Sequence, residues 1–263
     1  MTFTSDELMT VATARFIKDQ ASVFIGTGLP MVAAYLAKAT HAPDATLMFE
    51  SGVLAPQPRS IARAVGDPRL QSTARRVTGM LDALLLLHGG HVDFGVLGGA
   101  QIDRFGNINS TAIGPGGYHR PATRLGGSGG ANDIASAAGS FLIVMRHTRR
   151  AFVEKVDHVT TPGFLDGPGG RERAGLRGAG PVGLVTDLGV FTFDDQSKEM
   201  QIASLHPFVT LEQVGAATGF TLPPAPDMGQ TPPPSQAELD LLRNHIDPGR
   251  FYLKQTEPMG MPS

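Results

Sequence analysis

Glu50 closes a short apolar run, Thr46-Leu47-Met48-Phe49, and is followed at once by Ser51-Gly52. A carboxylate in that position is poorly placed for ordinary solvation. In α/β sheets, ligands and catalytic groups gather outside the C-terminal ends of strands. The chain has no cysteine, which removes thiolate nucleophiles, disulfides and cysteine-based metal sites together. No Ser/His/Asp order stands out either, so a carboxylate nucleophile becomes the candidate chemistry. The structural alternative is a half-exposed strand-end glutamate, or one that caps the following helix through its backbone N–H groups.

A nucleophile that attacks a carbonyl needs donors for the oxyanion it creates. Glycine is abundant, with 33 residues, and clustered. Gly98-Gly99-Ala100-Gln101 and Gly127-Ser128-Gly129-Gly130 lack bulky side chains, so their N–H groups are candidates for an oxyanion or acyl site. Close packing of strand against helix explains such glycines equally well. Gly26-Thr27-Gly28, followed by Leu29-Pro30, offers a third turn whose amides, together with Ser51 and Gly52, could face an anionic ligand. As a dinucleotide fingerprint it fails, because Met31 stands where the third glycine belongs and no Gly-Lys-Ser/Thr follows. The eight histidines are scattered without a His-x-x-x-His or Glu-x-x-His pair, so no metal site is expected. Arg171, Arg173 and Arg177 could meet phosphates or a carboxylate substrate, but a solvated, salt-bridged loop is the plainer reading.

These groups need a scaffold, and 263 residues are enough for a large α/β core. Net charge is −2 with no basic run, which argues against nucleic acid. Met1–Ala14 carries Asp6 and Glu7 and no apolar h-region, and the apolar stretch Leu81–Leu87 is broken by Asp82. Neither a signal peptide nor a membrane span is expected, and the cytoplasm is the expected compartment.

The spacing predicts a helix over Ser5–Gln20 with Ser5 as N-cap, then a strand at Ser22–Ile25 and a helix from Met31 to Thr40. Strands are predicted at 44–49, 92–97, 141–145, 152–160, 183–186, 190–193 and 200–205, with helices at 78–87, 132–138 and 210–218. Pro56 and Pro58 make the segment after Glu50 a loop. Residues 222–234 hold six prolines and read as an extended surface linker, followed by a last helix over 236–246. Buried strands alternating with helices imply a mostly parallel sheet with helices on both faces. No domain boundary stands out, so residues 1–263 read as a single domain.

Taken together, Gly26-Thr27-Gly28-Leu29-Pro30, Phe49-Glu50-Ser51-Gly52, Gly98-Gly99-Ala100-Gln101-Ile102-Asp103, Gly106-Asn107-Ile108-Asn109-Ser110 and Gly126–Asn132 resemble the β subunits of family I CoA-transferases. The likeness is to the glutaconate and 3-oxoadipate types and runs from about Asp6 to Gly249. It implies the Rossmann-like open sandwich of that superfamily and an α subunit as partner, in a heterodimer or a higher αβ oligomer. It also implies transfer of CoA between an acyl-CoA and a carboxylic acid. Glu50 falls on the family's catalytic glutamate, and the Gly98–Gln101 and Gly127–Gly130 loops fall on its acyl and CoA site. Coenzyme A would be a substrate and covalent intermediate, with no permanently bound cofactor. Some relatives on this fold act as hydrolases or decarboxylases of CoA esters, and a purely structural subunit is a further alternative. Retention of Glu50-Ser51-Gly52 favours the transferase.

Overall fold

The computed structural model describes residues 2–57, 61–254 and 257–259. Pro58 lies outside them. The chain divides into two compact units, one formed by Met1–Leu97 with Pro232–Ser263 and the other by Gly98–Thr231.

The first unit opens with helix α1 (Ser5–Ala14), strand β1 (Ser22–Ile25) and helix α2 (Leu29–Ala39). Strands β2 (Thr46–Met48) and β3 (Val53–Leu54), the short helix α3 (Pro68–Gln71), β4 (Arg76–Val77), α4 (Met80–His88) and β5 (Phe94–Leu97) follow. Its strands run in the order β5-β1-β2-β3-β4. β1 pairs in parallel with both β2 and β5, while β3 and β4 extend the sheet antiparallel. β1 and β5 bury apolar side chains almost throughout, as strands covered on both faces do.

α1 ends at Ala14, short of the expected Gln20, and its N-cap is Thr4 and not Ser5. The Thr4 hydroxyl accepts from the Glu7 N–H at 3.2 Å while the Glu7 carboxylate accepts from the Thr4 N–H at 2.9 Å, a reciprocal capping box. Beyond Ala14 the backbone tightens into i→i+3 bonds, Phe16 N–H to Thr13 and Ile17 N–H to Ala14. Gln20 then adopts φ +62°, which ends any helix.

The second unit holds two small hairpins, β6 (Gln101–Ile102) with β7 (Ile108–Asn109) and β8 (Ala112–Ile113) with β9 (Thr123–Arg124). Helix α5 (Ala131–Ala137), β10 (Ser140–Val144), the single turn α6 (Gly170–Arg173), β11 (Pro181–Val185), β12 (Gly189–Phe193), β13 (Met200–Leu205), α7 (Leu211–Ala216) and β14 (Pro224–Gln230) follow. The larger strands run β10-β11-β12-β13-β14, parallel at the β10–β11 and β13–β14 ladders and antiparallel between.

Two expectations change here. The proline-rich stretch is no free linker: β14 pairs with β13, with Ile202 opposite Pro224 and Leu205 opposite Gln230. Prolines are tolerated there because β14 is the last strand in the order, where one edge needs no ladder donors. Residues 152–160, expected to be extended, contribute only an isolated bridge between Phe152 and Ile102. Side-chain bonds organise that segment instead, such as the Thr160 hydroxyl accepting from the Ser110 N–H at 3.0 Å.

The chain then returns to the first unit through helix α8 (Gln236–Leu241), which widens into a π-helical turn over Leu242–Ile246. The predicted helix over 236–246 therefore forms, in two geometries.

Candidate functional site

β2 stops at Met48, and the next residues reverse the chain into β3. The Phe49 N–H donates to the Val53 carbonyl and the Gly52 N–H donates to the Phe49 carbonyl, each at 3.0 Å. Glu50 and Ser51 are thus the two central residues of a β-turn at the rim of the sheet. The flanking Phe49 ring is fully buried and Glu50 is half-buried.

Two contacts fix the turn. The Ser51 hydroxyl donates to the Val65 carbonyl at 2.6 Å. Gly52 has φ +91°, and a Cβ there would lie 2.1 Å from the Thr78 carbonyl oxygen, while the Thr78 N–H donates to the Gly52 carbonyl at 2.9 Å. Only glycine satisfies both the backbone angle and the close approach. Ser51 and Gly52 therefore hold the turn that presents Glu50. The expected strand-end position is found, two residues past the last paired residue.

Gly26 and Gly28 link β1 to α2 as expected, with Gly28 at φ +96° as N-cap. A Cβ at Gly26 would meet nothing within 4 Å. The Gly28 N–H is already engaged, however, by the Tyr252 hydroxyl, which in turn donates to the Ala62 carbonyl at 3.0 Å. Burial pushes the Tyr252 phenol up. Three consecutive N–H groups, of Phe251, Tyr252 and Leu253, converge on the Asp247 carboxylate at 2.8–2.9 Å and hold this clasp in place. Nothing in the order Asp247-Pro248-Gly249 announced this clasp.

In the second unit, Gly98 is exposed and Gly99 and Ala100 are half-buried. A Cβ on Gly99 would fall 2.0 Å from Ile108 Cγ2, so this glycine serves close packing. The Ala100 N–H donates to the Asn109 carbonyl at 2.9 Å. Gln101 is buried: its amide oxygen accepts from Asn109 Nδ2 at 2.6 Å and its Nε2 donates to Asp157 at 2.9 Å. Of the second glycine loop, Gly127 has φ +95° with open space where its Cβ would be, and its N–H donates to the Ser110 carbonyl at 2.8 Å. Ser128 accepts from the Ala131 N–H at 3.0 Å, Gly129 has φ +50°, and Gly130 is the N-cap of α5.

Around these loops runs a buried polar network that sequence spacing did not reveal. Asn107 accepts at Oδ1 from the Gly163 and Leu165 N–H groups and donates from Nδ2 to Asp103 and to the Leu165 carbonyl, all within 3.0 Å. Burial raises the Asp103 carboxyl, against the lowering effect of its bonds from Asn107 and Phe105. Arg171 also departs from expectation. It is only 4% exposed, and its guanidinium donates to the carbonyls of Pro162, Gly163, Ala135 and Arg177. It ties loops together and is not a solvated ligand-binder. Arg173 does form the expected surface ion pair, with Asp166 at 2.6 Å.

The sequence profile of the family described as coenzyme A transferase matches residues 7–217. The chain belongs to that family. Among curated relatives of these CoA-transferases, the B-type subunit of glutaconate CoA-transferase from Acidaminococcus fermentans is 40% identical over 259 residues, 96% of each chain. The B-type subunit of 3-oxoadipate CoA-transferase from Pseudomonas knackmussii is 42% identical over 243 residues, 92% of each. The cholesterol ring-cleaving hydrolase IpdB subunit of Mycobacterium tuberculosis is 32% identical over 251 residues, covering 93% of this chain and 95% of that one. The crystal structure of the Acidaminococcus glutaconate coenzyme A-transferase superposes with a TM-score of 0.90, covering 97% of this chain and 98% of that one. The decarboxylase AibA/AibB superposes with a TM-score of 0.82 at 26% identity, over 95% and 98%. The fold is therefore the α/β CoA-transferase fold, a mostly parallel but mixed sheet with helices.

Among the described residues, no group of three or more His, Asp or Glu is arranged to hold a metal ion, and no helix is long and apolar enough to cross a membrane.

Proposed function

We propose that this chain is the catalytic B-type subunit of a heteromeric, cytoplasmic CoA-transferase, with Glu50 as its covalent nucleophile. The observation that carries the reading is the Phe49–Gly52 turn, which fixes a half-buried carboxylate at the end of a parallel strand by contacts only Gly52 permits. A partner subunit is supported by the transferase relatives, each of which is named as one subunit of its enzyme.

The chemistry needs only a carboxylate and a thioester. A Glu50 carboxylate oxygen attacks the acyl-CoA carbonyl carbon, the C–S bond breaks, and CoA leaves as a thiolate with a mixed anhydride formed on Glu50. The thiolate attacks the Glu50 carbonyl carbon, the anhydride C–O bond breaks, and the donor acid departs as its carboxylate. Glu50 then carries CoA as a thioester. The acceptor carboxylate attacks that thioester, regenerating an anhydride and a thiolate. Thiolate attack on the acceptor's acyl carbon releases the new acyl-CoA and free Glu50, a ping-pong sequence. No proton moves, because a thiolate of pKa about 8.5 is an adequate leaving group.

Donors to each oxyanion and exclusion of water are the remaining demands. We assign Gly98, Gly99, Ala100 and Gln101, and Gly127, Ser128, Gly129 and Gly130, to acyl-CoA-binding segments. We assign Gly26 and Gly28, with Ser51 and Gly52, to a substrate or CoA loop. The Ala100 amide and the Gln101 side chain already have partners, so these two act by shaping the loop. The acids named in the transferase relatives, glutaconate and 3-oxoadipate, support a dicarboxylate as one substrate.

The test is direct. The holoenzyme incubated with acyl-CoA and then borohydride should be inactivated with modification at Glu50, and Glu50→Ala should lose at least 10³-fold in turnover, on the order of 4 kcal/mol. An unmodified chain with Glu50→Ala fully active would sink the covalent mechanism. The hydrolase and decarboxylase relatives support a second reading. Under it, acyl-CoA is consumed with no carboxylate acceptor present.

A further inference from the structure

After the π-helical turn the backbone folds back as a short strap, residues 250–253. Arg250 opens it at φ +48°, a left-handed conformation that a residue with a side chain keeps only where its surroundings hold it. The three N–H groups received by the Asp247 carboxylate fix the strap, and Leu253 is buried beneath it. From the strap the Tyr252 hydroxyl accepts from the Gly28 N–H and donates to the Ala62 carbonyl at 3.0 Å. Strap, Gly28 and Ala62 all belong to the first unit, as does the Glu50 turn.

Ala62 begins a segment that reaches the residue beside Glu50. Ile61 and Ala62 are buried. The Arg63 N–H donates to the Asp67 carboxylate at 2.8 Å, the Asp67 N–H donates to the Ala64 carbonyl at 3.1 Å, and Asp67 caps α3. The Arg63 guanidinium also stands 5.0 Å over the Phe251 ring, a second tie between segment and strap. Val65 lies within this turn, and its carbonyl accepts from the Ser51 hydroxyl at 2.6 Å. A continuous run of contacts therefore leads from Tyr252 through residues 62–65 to Ser51.

We infer that Tyr252 is a positioning residue for Glu50: its hydroxyl pins residues 62–65 to the Gly28 turn, and that segment holds the Glu50 turn through Ser51. The inference rests on the covalent reading of Glu50 given above. A nucleophile must be kept close to its attack geometry, and a displacement of about 1 Å can cost on the order of a hundredfold in rate. Two properties suit this phenol. One oxygen accepts and donates at once, which a phenyl ring of the same shape cannot do. Burial favours its protonated form, so the donor to Ala62 is kept. Anchoring the strap does not need the hydroxyl, since Asp247 and the buried Leu253 already supply it.

The experiment uses the assembled holoenzyme carrying Tyr252→Phe, Ser51→Ala or both. Phenylalanine keeps the ring and removes only the hydroxyl. Three quantities are measured: the rate of Glu50–CoA thioester formation at saturating acyl-CoA, the acyl-CoA concentration at half-saturation, and the melting temperature. Tyr252→Phe should slow thioester formation about tenfold, with half-saturation within about twofold of the wild type. Ser51→Ala should slow it at least as much, and the double variant should be no slower than Ser51→Ala alone, because contacts on one route do not add. A merely structural hydroxyl would lower the melting temperature and leave the rate unchanged well below the transition, and that result overturns the inference. Additive losses in the double variant overturn it too, since the two hydroxyls would then act by separate routes. So does a change confined to half-saturation, which would assign the effect to the Gly28 turn and substrate binding. Each of these three results leaves the role of Glu50 intact. A wild type that traps no thioester, with Glu50→Ala fully active, overturns the covalent reading and this inference with it.

Discussion

Gly52 shows how much a single residue without a side chain can decide. Glu50 is the proposed nucleophile, and its position is set by a backbone that only glycine can adopt, at φ +91° and with the Thr78 carbonyl where a Cβ would be. Gly52→Ala should cost about 2–4 kcal/mol, from left-handed backbone strain and the clash together. It should lower turnover more than it weakens acyl-CoA binding, because the turn shifts while the 98–101 and 127–130 loops stay intact. Denaturant unfolding beside a kcat and KM comparison checks this, and a stable variant with wild-type kcat would refute the positioning role. Glu50, Ser51 and Gly52 were all legible as a group from the order apolar strand, acid, glycine. Tyr252 was not, since nothing local in Phe251-Tyr252-Leu253 shows that its hydroxyl will reach the Gly28 amide and the Ala62 carbonyl.

At the scale of elements, buried imidazoles connect the strands of the second unit. His147, just beyond β10, stacks on Phe152 at 3.6 Å and bonds Thr186 and Thr218 through its two ring nitrogens. His206, just beyond β13, bonds Thr231 and the Thr186 carbonyl. Burial pushes His147 down to about 3 and His206 down to about 4, against an ordinary value near 6.5. Below pH 6.5 the unfolded chain takes up protons that the folded chain refuses, so stability falls with falling pH. The loss should reach up to about 1.4 kcal/mol per pH unit for each histidine between about pH 6 and pH 4. Urea midpoints at pH 7.5, 5.5 and 4.5 measure it, and His206→Asn should flatten the slope. A wild-type midpoint unchanged over this range would show that neither ring is held neutral by the fold. Pairing also decided the proline-rich element: six prolines suggested a linker, and β14 exists because an edge position forgives the missing N–H groups.

At the scale of the whole molecule, the first unit is assembled from both ends of the chain, and the second is the intervening Gly98–Thr231. Glu7 fastens the two ends. It is fully buried in α1 and receives Arg243 of the π-helical turn through Nε at 2.7 Å and a terminal guanidinium nitrogen at 2.8 Å. Burial alone would raise the Glu7 carboxyl, but the Arg243 bonds, the Thr4 N–H and the nearby cations outweigh it and the net shift is downward. Glu7→Gln leaves Arg243 without its counter-charge and should cost about 2–3 kcal/mol, less than a fully buried pair because Arg243 is partly exposed. Faster proteolysis C-terminal to Thr231 should accompany the loss in a denaturant titration. Unchanged stability and cleavage would show that the packing of α8 alone holds the C-terminal segment. A boundary at Leu97–Gly98 left no mark in composition, because the chain passes it at the end of a buried strand and not through a linker.

By itself the sequence determined the α/β class, most of the regular elements, the family, and the candidate nucleophile. All of these depend on local periodicity or on motifs of adjacent residues. The extent of α1, the pairing of β14, the burial of Arg171 and the bare leucine face of α4 were decided only by tertiary structure. Each depends on which distant segments take up a hydrogen bond or cover an apolar side chain. α4 is rich in leucine, and only the folded chain shows that its Met80, Leu81 and Leu85 side chains are exposed.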